Sequence, residues 1–306
     1  MKILLINHYA GSQKKGMEYR PYYLAKEWIK NGHQVKIVAA TFSHVRNNQP
    51  IVHSDFYEER VEGIEYFWLK TPTYQGNSAK RFINMLIFVT KLWFKANFLA
   101  TTIKPDVVIA SSTYPLDIYP AKKIAKKSKA ELVFEIHDLW TLSPMELGGY
   151  SKYHPFIAIM QMAENIAYKN ADKVISILPK TLEHTVEHGL NPNKWFCVSN
   201  GINIEDWNNI VEVSDDYKKN FLDFKHKQQF LVGYLGSHGL ANALEYLIEA
   251  AKLLQNEKIT FVFVGKGNEK QNLIEKAIGL QNVVFLDYVT KNAIPDLLKY
   301  LLFFFL

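Results

Sequence analysis

Short apolar runs and helical stripes alternate from the first residues, and that alternation narrows the possible folds more than any other feature. Residues 2–7 (KILLIN) form an apolar run ending in polar residues, as a buried parallel strand does. Residues 19–31 place Tyr22, Tyr23, Leu24, Ala25, Trp28 and Ile29 at helical spacing, with Gly32 as a stop signal. Residues 34–40 (QVKIVAA) read as the next strand. Strand, helix and strand in that order make a βαβ unit, which requires a parallel sheet with right-handed crossovers.

The pattern continues with strands over residues 64–69, 105–111, 131–136, 173–177 and 194–198. Helices are expected over 80–103, 120–129, 154–170 and 180–188. These make one doubly wound domain over residues 1–198. Residues 199–228 have little apolar periodicity and read as an interdomain connector. A second series follows, with strands over 230–235, 259–265 and 283–288 and helices over 241–255, 269–278 and from 292 onward. The fold class expected is α/β, with two Rossmann-like doubly wound lobes. The second lobe, residues 229–306, is incomplete on this reading. The apolar end Phe303-Phe304-Phe305-Leu306 reads as a truncation or frame change, or as a helix end packed on the first lobe.

Composition bounds the partners. At 306 residues, 48% apolar and 22% charged, the chain can bury the cores of about two domains. A net charge of +6 fits an anionic ligand, a membrane surface or nucleic acid. The single cysteine, Cys197, rules out an internal disulfide and suits a reducing cytoplasm. The first residues lack a signal-peptide pattern, and no run of 18 apolar residues occurs, so no membrane span is expected. The ten histidines have no paired ligand spacing, so no metal is expected. A nucleophile elbow of the Gly-x-Ser-x-Gly type is absent.

Several loops could carry chemistry. Gly11 and Gly16 have the spacing of a phosphate loop's outer glycines, but Met17-Glu18 replaces the required Lys-Ser/Thr, which rejects a P-loop. Gly265-Lys266-Gly267 lacks the third glycine of a dinucleotide fingerprint and follows the wrong strand, which argues against a nicotinamide enzyme. His137-Asp138 ends an apolar strand. It is either a substrate-facing pair or a solvated turn. Gly236-Ser237-His238-Gly239-Leu240-Ala241-Asn242 joins a strand to a helix, and is either an anion site for a diphosphate or an ordinary turn. Ser199-Asn200-Gly201 reads as a tight turn. Residues 80–95 are aromatic in the middle, with Trp93 there and Lys80, Arg81, Lys91 and Lys95 around it. They suit a helix in the headgroup zone of anionic lipid, or a core-facing helix with a charged rim. Nucleic acid is not expected, since no dense basic stripe or motif for it is present.

In order along the chain, Lys2–Tyr9 (KILLINHY), Gly16-Met17-Glu18-Tyr19-Arg20-Pro21, His137-Asp138-Leu139-Trp140, Ser199–Ile202, Gly236–Leu244 and Val264-Gly265-Lys266-Gly267 resemble retaining, nucleotide-sugar-dependent glycosyltransferases of GT-B fold. The resemblance is to family 4 enzymes of bacterial surface-polysaccharide assembly, such as those adding an N-acetylfucosamine.

The resemblance implies roles. His137 would sit beside the transferred sugar with Asp138 supporting it. Gly11, Met17, Glu18 and Arg20 would shape the acceptor side, and Gly16 and Asn200 the donor side. Gly236, Ser237, His238, Gly239 and Asn242 would meet the donor diphosphate, and Gly265, Lys266 and Gly267 its base and ribose. It further implies retention of configuration, a UDP- or GDP-sugar donor, no metal or other cofactor, and a lipid-linked glycan acceptor at the inner membrane face. The Arg and Lys that many members carry in the loop after the second lobe's first strand are replaced here by Ser237 and Asn242. The family's Glu-x7-Glu region would fall beyond residue 306, which sets the expectation of a weakly active chain. The alternatives are a nucleotide-sugar epimerase of the same fold, or a remnant that binds membrane or a partner.

Overall fold

The structure is a computed structural model that describes residues 1–76, 79–226, 228–301 and 303–305. The chain divides into two compact units, Met1–Gly201 and Ile202–Leu306.

The first unit runs β1 (Lys2–Ile6), α1 (Arg20–Lys30), β2 (Gln34–Ala40), β3 (Tyr57–Val61), β4 (Ile64–Leu69) and α2 (Ala79–Ile103). It continues through β5 (Val107–Ala110), α3 (Ile118–Ser128), β6 (Glu131–Ile136), α4 (Leu142–Gly148), α5 (Pro155–Asn170), β7 (Lys173–Ser176), α6 (Leu182–Glu187) and β8 (Trp195–Cys197). One sheet has the order β3-β4-β2-β1-β5-β6-β7-β8. Every pairing is parallel except β3 with β4.

Helices cover both faces, so central strands are apolar throughout. Leu4 and Ile6 pack with α2, α3 and α5, while Ile3 and Leu5 pack with Tyr22 and Ala25 of α1. By length and composition α2 could cross a bilayer, although charged and polar residues interrupt its apolar run. In this unit Met85, Phe88, Leu92, Ala96, Leu99 and Ile103 of α2 lie in the core.

Strand β3 was not expected from the sequence. Its residues, YEERV, are mostly charged and lack alternation. It forms because Glu62 and Gly63 both take positive φ, at 52° and 91°, closing a two-residue hairpin onto β4. Charged side chains suit an edge strand.

The second unit contains α7 (Ile204–Asn208), α8 (Asp215–His226), β9 (Phe230–Leu235), α9 (Glu245–Leu253), β10 (Ile259–Val264), α10 (Lys270–Lys276), β11 (Val283–Leu286), α11 (Ile294–Leu298) and β12 (Phe303–Phe305). Its parallel sheet has the order β11-β10-β9-β12.

Two expectations change here. Most of the supposed connector belongs to this unit. Val213 and Phe221 are buried with Leu231, Val262 and Leu297, and Phe221 stacks on Tyr300 at 5.3 Å. Val213, Tyr217 and Phe221 recur at i, i+4 spacing among acidic and basic residues, a helical signal that the reading as a connector passed over. The apolar end is no helix tail, since residues 303–305 pair with Val232, Gly233 and Tyr234 as a fourth strand.

Candidate functional site

In the first unit the chain winds from β1 through β2 to β4, then returns to β5 and winds the other way. The sheet reverses between β1 and β5, and the carboxyl edge there is where α/β sheets bind ligands. Asn7, His8, Ser111, Ser112 and His137 follow directly on β1, β5 and β6 at that edge.

These residues form a buried polar network. Asn7 Nδ2 donates to the Ser111 carbonyl at 2.5 Å. The Ser111 hydroxyl donates to Glu135 Oε2 at 2.6 Å, and His137 Nε2 lies 3.1 Å from that same oxygen. Arg20 Nε donates to Glu135 Oε1 at 3.0 Å. The rest of the guanidinium donates to the carbonyls of Val198 and Ser199 and to Asn200 Oδ1, at 2.8, 3.2 and 3.1 Å. Burial alone would raise the Glu135 carboxyl. His137, Arg20 and Ser111 outweigh it and bring the group down to about 2. Burial would lower His137, but Glu135, by hydrogen bond and charge, raises it, with Glu18 assisting.

The carboxylate that supports His137 is therefore Glu135, not Asp138. Asp138 is exposed and caps the next turn, accepting from the Leu139 amide and the Ser143 hydroxyl, both at 2.8 Å. Glu135 was legible as Glu-x-His, because residues two apart share a strand face. Arg20 also differs from its expected role, since its donors go to the protein. Asp117 was missed. It is fully buried, accepts from the Ser112 amide at 2.9 Å, and burial pushes its carboxyl up to about 7.

The Gly11–Gly16 loop folds on itself rather than cradling an anion. Gly11 donates to the Glu18 carbonyl at 2.8 Å, and Ser12 and Gly16 exchange hydrogen bonds at 3.1 and 2.8 Å. A β-carbon on Gly11 would fall 1.9 Å from the Gly16 oxygen. Of this stretch, Met17 is exposed and Glu18 half-buried. Arg81, expected at a membrane, lies against the rings of Tyr9 and Trp140 at 5.7 and 5.2 Å.

The other basic residues of α2 divide. Lys91 is paired with Asp55 at 2.8 Å, and Lys95 lies over Phe56 and Phe98. Lys80 and Trp93 are exposed, with the Lys123 ammonium over the Trp93 ring at 4.5 Å. Beside them Ile83, Leu86, Phe94 and Phe98 form an exposed apolar stripe.

In the second unit the chain passes from β9 to β10 and β11, and β12 lies on the other side of β9. The loop after β9 is thus at this sheet's reversal. It is braced against the loop after β10. The Gly236 amide donates to Val264 and the His238 amide to Lys266, both at 3.0 Å. These two amides are not free for a diphosphate, contrary to expectation. Among the described residues, those of Ser237 and Gly239 have no protein acceptor.

Asn242 Nδ2 donates to the Ser237 carbonyl at 2.6 Å, so it shapes the loop. Its helix begins at Glu245, later than expected, after a short turn over Leu240–Asn242 and Ala243 at φ 49°. The helix dipole is consequently set back from the loop.

Gly265 and Gly267 are close-packing positions, since β-carbons there would lie 1.9 Å from the Gly236 oxygen and 2.2 Å from the His238 oxygen. Lys266 lies over the Tyr288 ring at 4.3 Å. His238 is wholly buried, and neither ring nitrogen has a hydrogen-bond partner among the described residues. Lys270 was missed by sequence reading. Its ammonium donates to the carbonyls of Gly265 and Leu286 and to Asp287, at 3.0–3.1 Å, and adds positive charge beside His238. Among the described residues no group of three or more His, Cys, Asp or Glu is placed to hold a metal.

Comparisons with known proteins agree with this architecture. Residues 14–206 match Glycosyltransferase Family 4, and residues 229–306 match Glycosyl transferases group 1. The chain is 26% identical over 281 residues to the protein named for colanic acid biosynthesis glycosyl transferase WcaI of Escherichia coli (strain K12). That match covers 89% of this chain and 68% of the relative. Anabaena HepE, solved with UDP-glucose, superposes with a TM-score of 0.59 at 17% identity, covering 98% of this chain and 72% of HepE. Sucrose-phosphate synthase of Thermosynechococcus elongatus gives 0.65 at 17% identity, over 98% and 73%. UDP-GlcNAc 2-epimerase of Methanocaldococcus jannaschii gives 0.53 at 14% identity, over 99% and 78%. These solved structures establish the GT-B fold and no more. The family match spans more than half the chain, and the chain belongs to glycosyltransferase family 4: it is a glycosyltransferase.

Proposed function

We propose that this enzyme moves a sugar from a UDP- or GDP-sugar to a lipid-linked glycan during cell-surface polysaccharide synthesis, with retention of configuration and without a metal. The observation that carries the reading is His137, held by Glu135 at the carboxyl edge of β6 within the segment matched by family 4. The likeness to WcaI supports the polysaccharide setting, and the UDP-glucose bound by HepE supports a nucleotide-sugar donor.

In the reaction proposed, the bond from the anomeric carbon to the diphosphate breaks. The acceptor hydroxyl bonds to that carbon on the same face, and its proton passes to the departing phosphate. His137 orients a hydroxyl of the transferred sugar. In the second unit, the Ser237 and Gly239 amides and the Lys270 ammonium nearby support binding of an anionic group at the loop after β9. Placement and charge stabilisation of this kind supply most of the rate where no covalent catalyst acts.

The apolar stripe of α2 supports a peripheral position at the cytoplasmic face of the inner membrane, where a lipid-linked acceptor is reached.

The test incubates the protein with a panel of UDP- and GDP-sugars and a polyprenyl-diphosphate-linked glycan. Sugar transfer is followed by mass spectrometry, and the anomeric configuration of the product by NMR. Transfer with retention is expected, and His137→Ala should lower turnover at least about 100-fold. An inverted product, or an unchanged rate in His137→Ala, contradicts this reading.

A further inference from the structure

Glu135 is a carboxylate whose two oxygens serve different masters. Oε2 takes His137 Nε2 and the Ser111 hydroxyl. Oε1 takes Arg20, whose remaining donors hold Val198, Ser199 and Asn200, the last residues before Gly201, where the first unit ends. Both side chains of the Arg20–Glu135 pair are almost fully buried, at 7% and 3% exposure. A buried ion pair is a poor source of net stability, because desolvation offsets the attraction, yet breaking one is costly.

We propose that Glu135 is the positioning residue of this active site: it fixes the ring of His137 and, through Arg20, ties that ring to the backbone of residues 198–200. With Nε2 committed to Glu135, the nitrogen His137 can present to a ligand is Nδ1. The ring cannot turn over without giving up the carboxylate.

The groups facing His137 come from every element around it. Glu135 lies on β6, Ser111 after β5, Arg20 on α1 and Glu18 in the loop before α1, with Asp117 acting on it by charge across the edge. Glu135 supplies both the hydrogen bond and the largest attractive charge, so it sets the tautomer. Arg20 works in the opposite sense on the imidazole charge. Its support of the site is therefore positional, since its charge opposes protonation of the ring.

The inference rests on the reading of His137 as the group beside the transferred sugar, and the experiment separates the two. Glu135→Gln keeps the shape and removes the charge. Two-dimensional NMR with ring-labelled histidine follows the His137 titration in wild type and variant, without any turnover. The expected result is a wild-type midpoint above that of a free histidine and a lower midpoint in Glu135→Gln. Donor kinetics should show kcat falling roughly 10- to 100-fold with KM for the nucleotide sugar nearly unchanged. Arg20→Lys, which keeps the charge but loses the planar fork, should lower kcat while leaving the His137 titration near the wild-type midpoint.

An unshifted titration in Glu135→Gln, or wild-type kcat in both variants, overturns the proposal. Should Glu135→Gln fail to fold, the wild-type titration decides: a midpoint at or below that of free histidine overturns it. If His137→Ala retains full activity while Glu135→Gln shifts the titration, the pairing stands and the catalytic role of the histidine falls.

Discussion

Gly267 packs so closely on His238 that a β-carbon there would lie 2.2 Å from the His238 carbonyl oxygen, 2.5 Å from its carbon and 2.7 Å from its nitrogen. All three are backbone atoms and cannot rotate away. Gly267→Ala should therefore displace the loop after β9, destabilise the second unit by about 1–3 kcal/mol and weaken UDP binding. Gly201→Ala, with no atom within 4 Å, is the control and should leave the denaturation midpoint unchanged. Chemical denaturation and calorimetric titration with UDP measure both effects. Equal stability of the two variants would refute the packing account.

His238 is buried with two unpartnered ring nitrogens between Tyr234, Phe263 and Phe285. An unsatisfied buried polar group costs roughly 1–3 kcal/mol. His238→Leu removes that cost, so thermal stability should hold or rise. If the imidazole serves the donor, UDP affinity should fall by about tenfold, the value of one hydrogen bond to a charged group. Lower stability with unchanged affinity would make His238 a packing residue only.

The buried carboxyls set a pH dependence of stability. Burial pushes Asp117 and Glu164 up to about 7, so each binds its proton more tightly folded than unfolded. Their contribution is complete below the ordinary carboxyl values, 3.8 and 4.5, and is lost as pH rises toward 7. Glu135, at about 2, acts oppositely: its contribution is present above 4.5 and lost as pH falls toward 2. His137 is raised, so its contribution is full below about 6.5 and declines as pH rises through its folded value. Burial lowers His8, His44, His184 and His238, whose contribution grows as pH rises toward 6.5 and opposes that of the carboxyls, so the carboxyl share is read from a variant. Between pH 5 and 7 Asp117→Asn should lose roughly 2 kcal/mol less stability than the wild type. An Asp117→Asn profile parallel to that of the wild type from pH 5 to 7 would contradict the assignment of Asp117.

Phe94 and Phe98 of α2 are exposed at 77% and 49%, next to Ile83 and Leu86. Replacing both by Glu should leave the melting temperature within a degree or two, because neither ring is in the core. Each phenylalanine that enters a bilayer surface contributes about 1.5–3 kcal/mol, so the double variant should lose at least tenfold in binding to vesicles containing anionic phosphatidylglycerol. Equal sedimentation of both proteins with such vesicles would remove α2 from the membrane account.

Much of this protein was legible in its sequence, because strand and helix periodicities are local. The βαβ alternation, the two Rossmann-like units and the approximate element boundaries follow from apolar spacing alone. The ordered motifs around His137 and Gly236 likewise pointed to the family. Local patterning also hid what it does not encode. β3 is charged and exists because it pairs with β4, and α8 joins the second core through Tyr217 and Phe221 although half of its residues are charged. Partnership was decided only by the tertiary structure. Residues 115 apart meet in the Arg20–Glu135 pair, and Asp138, adjacent to His137, gives way to Glu135 because β-strand geometry puts alternate side chains on one face. Sequence names the groups that can carry charge, but burial and neighbours brought together by the sheet determine which of them hold it.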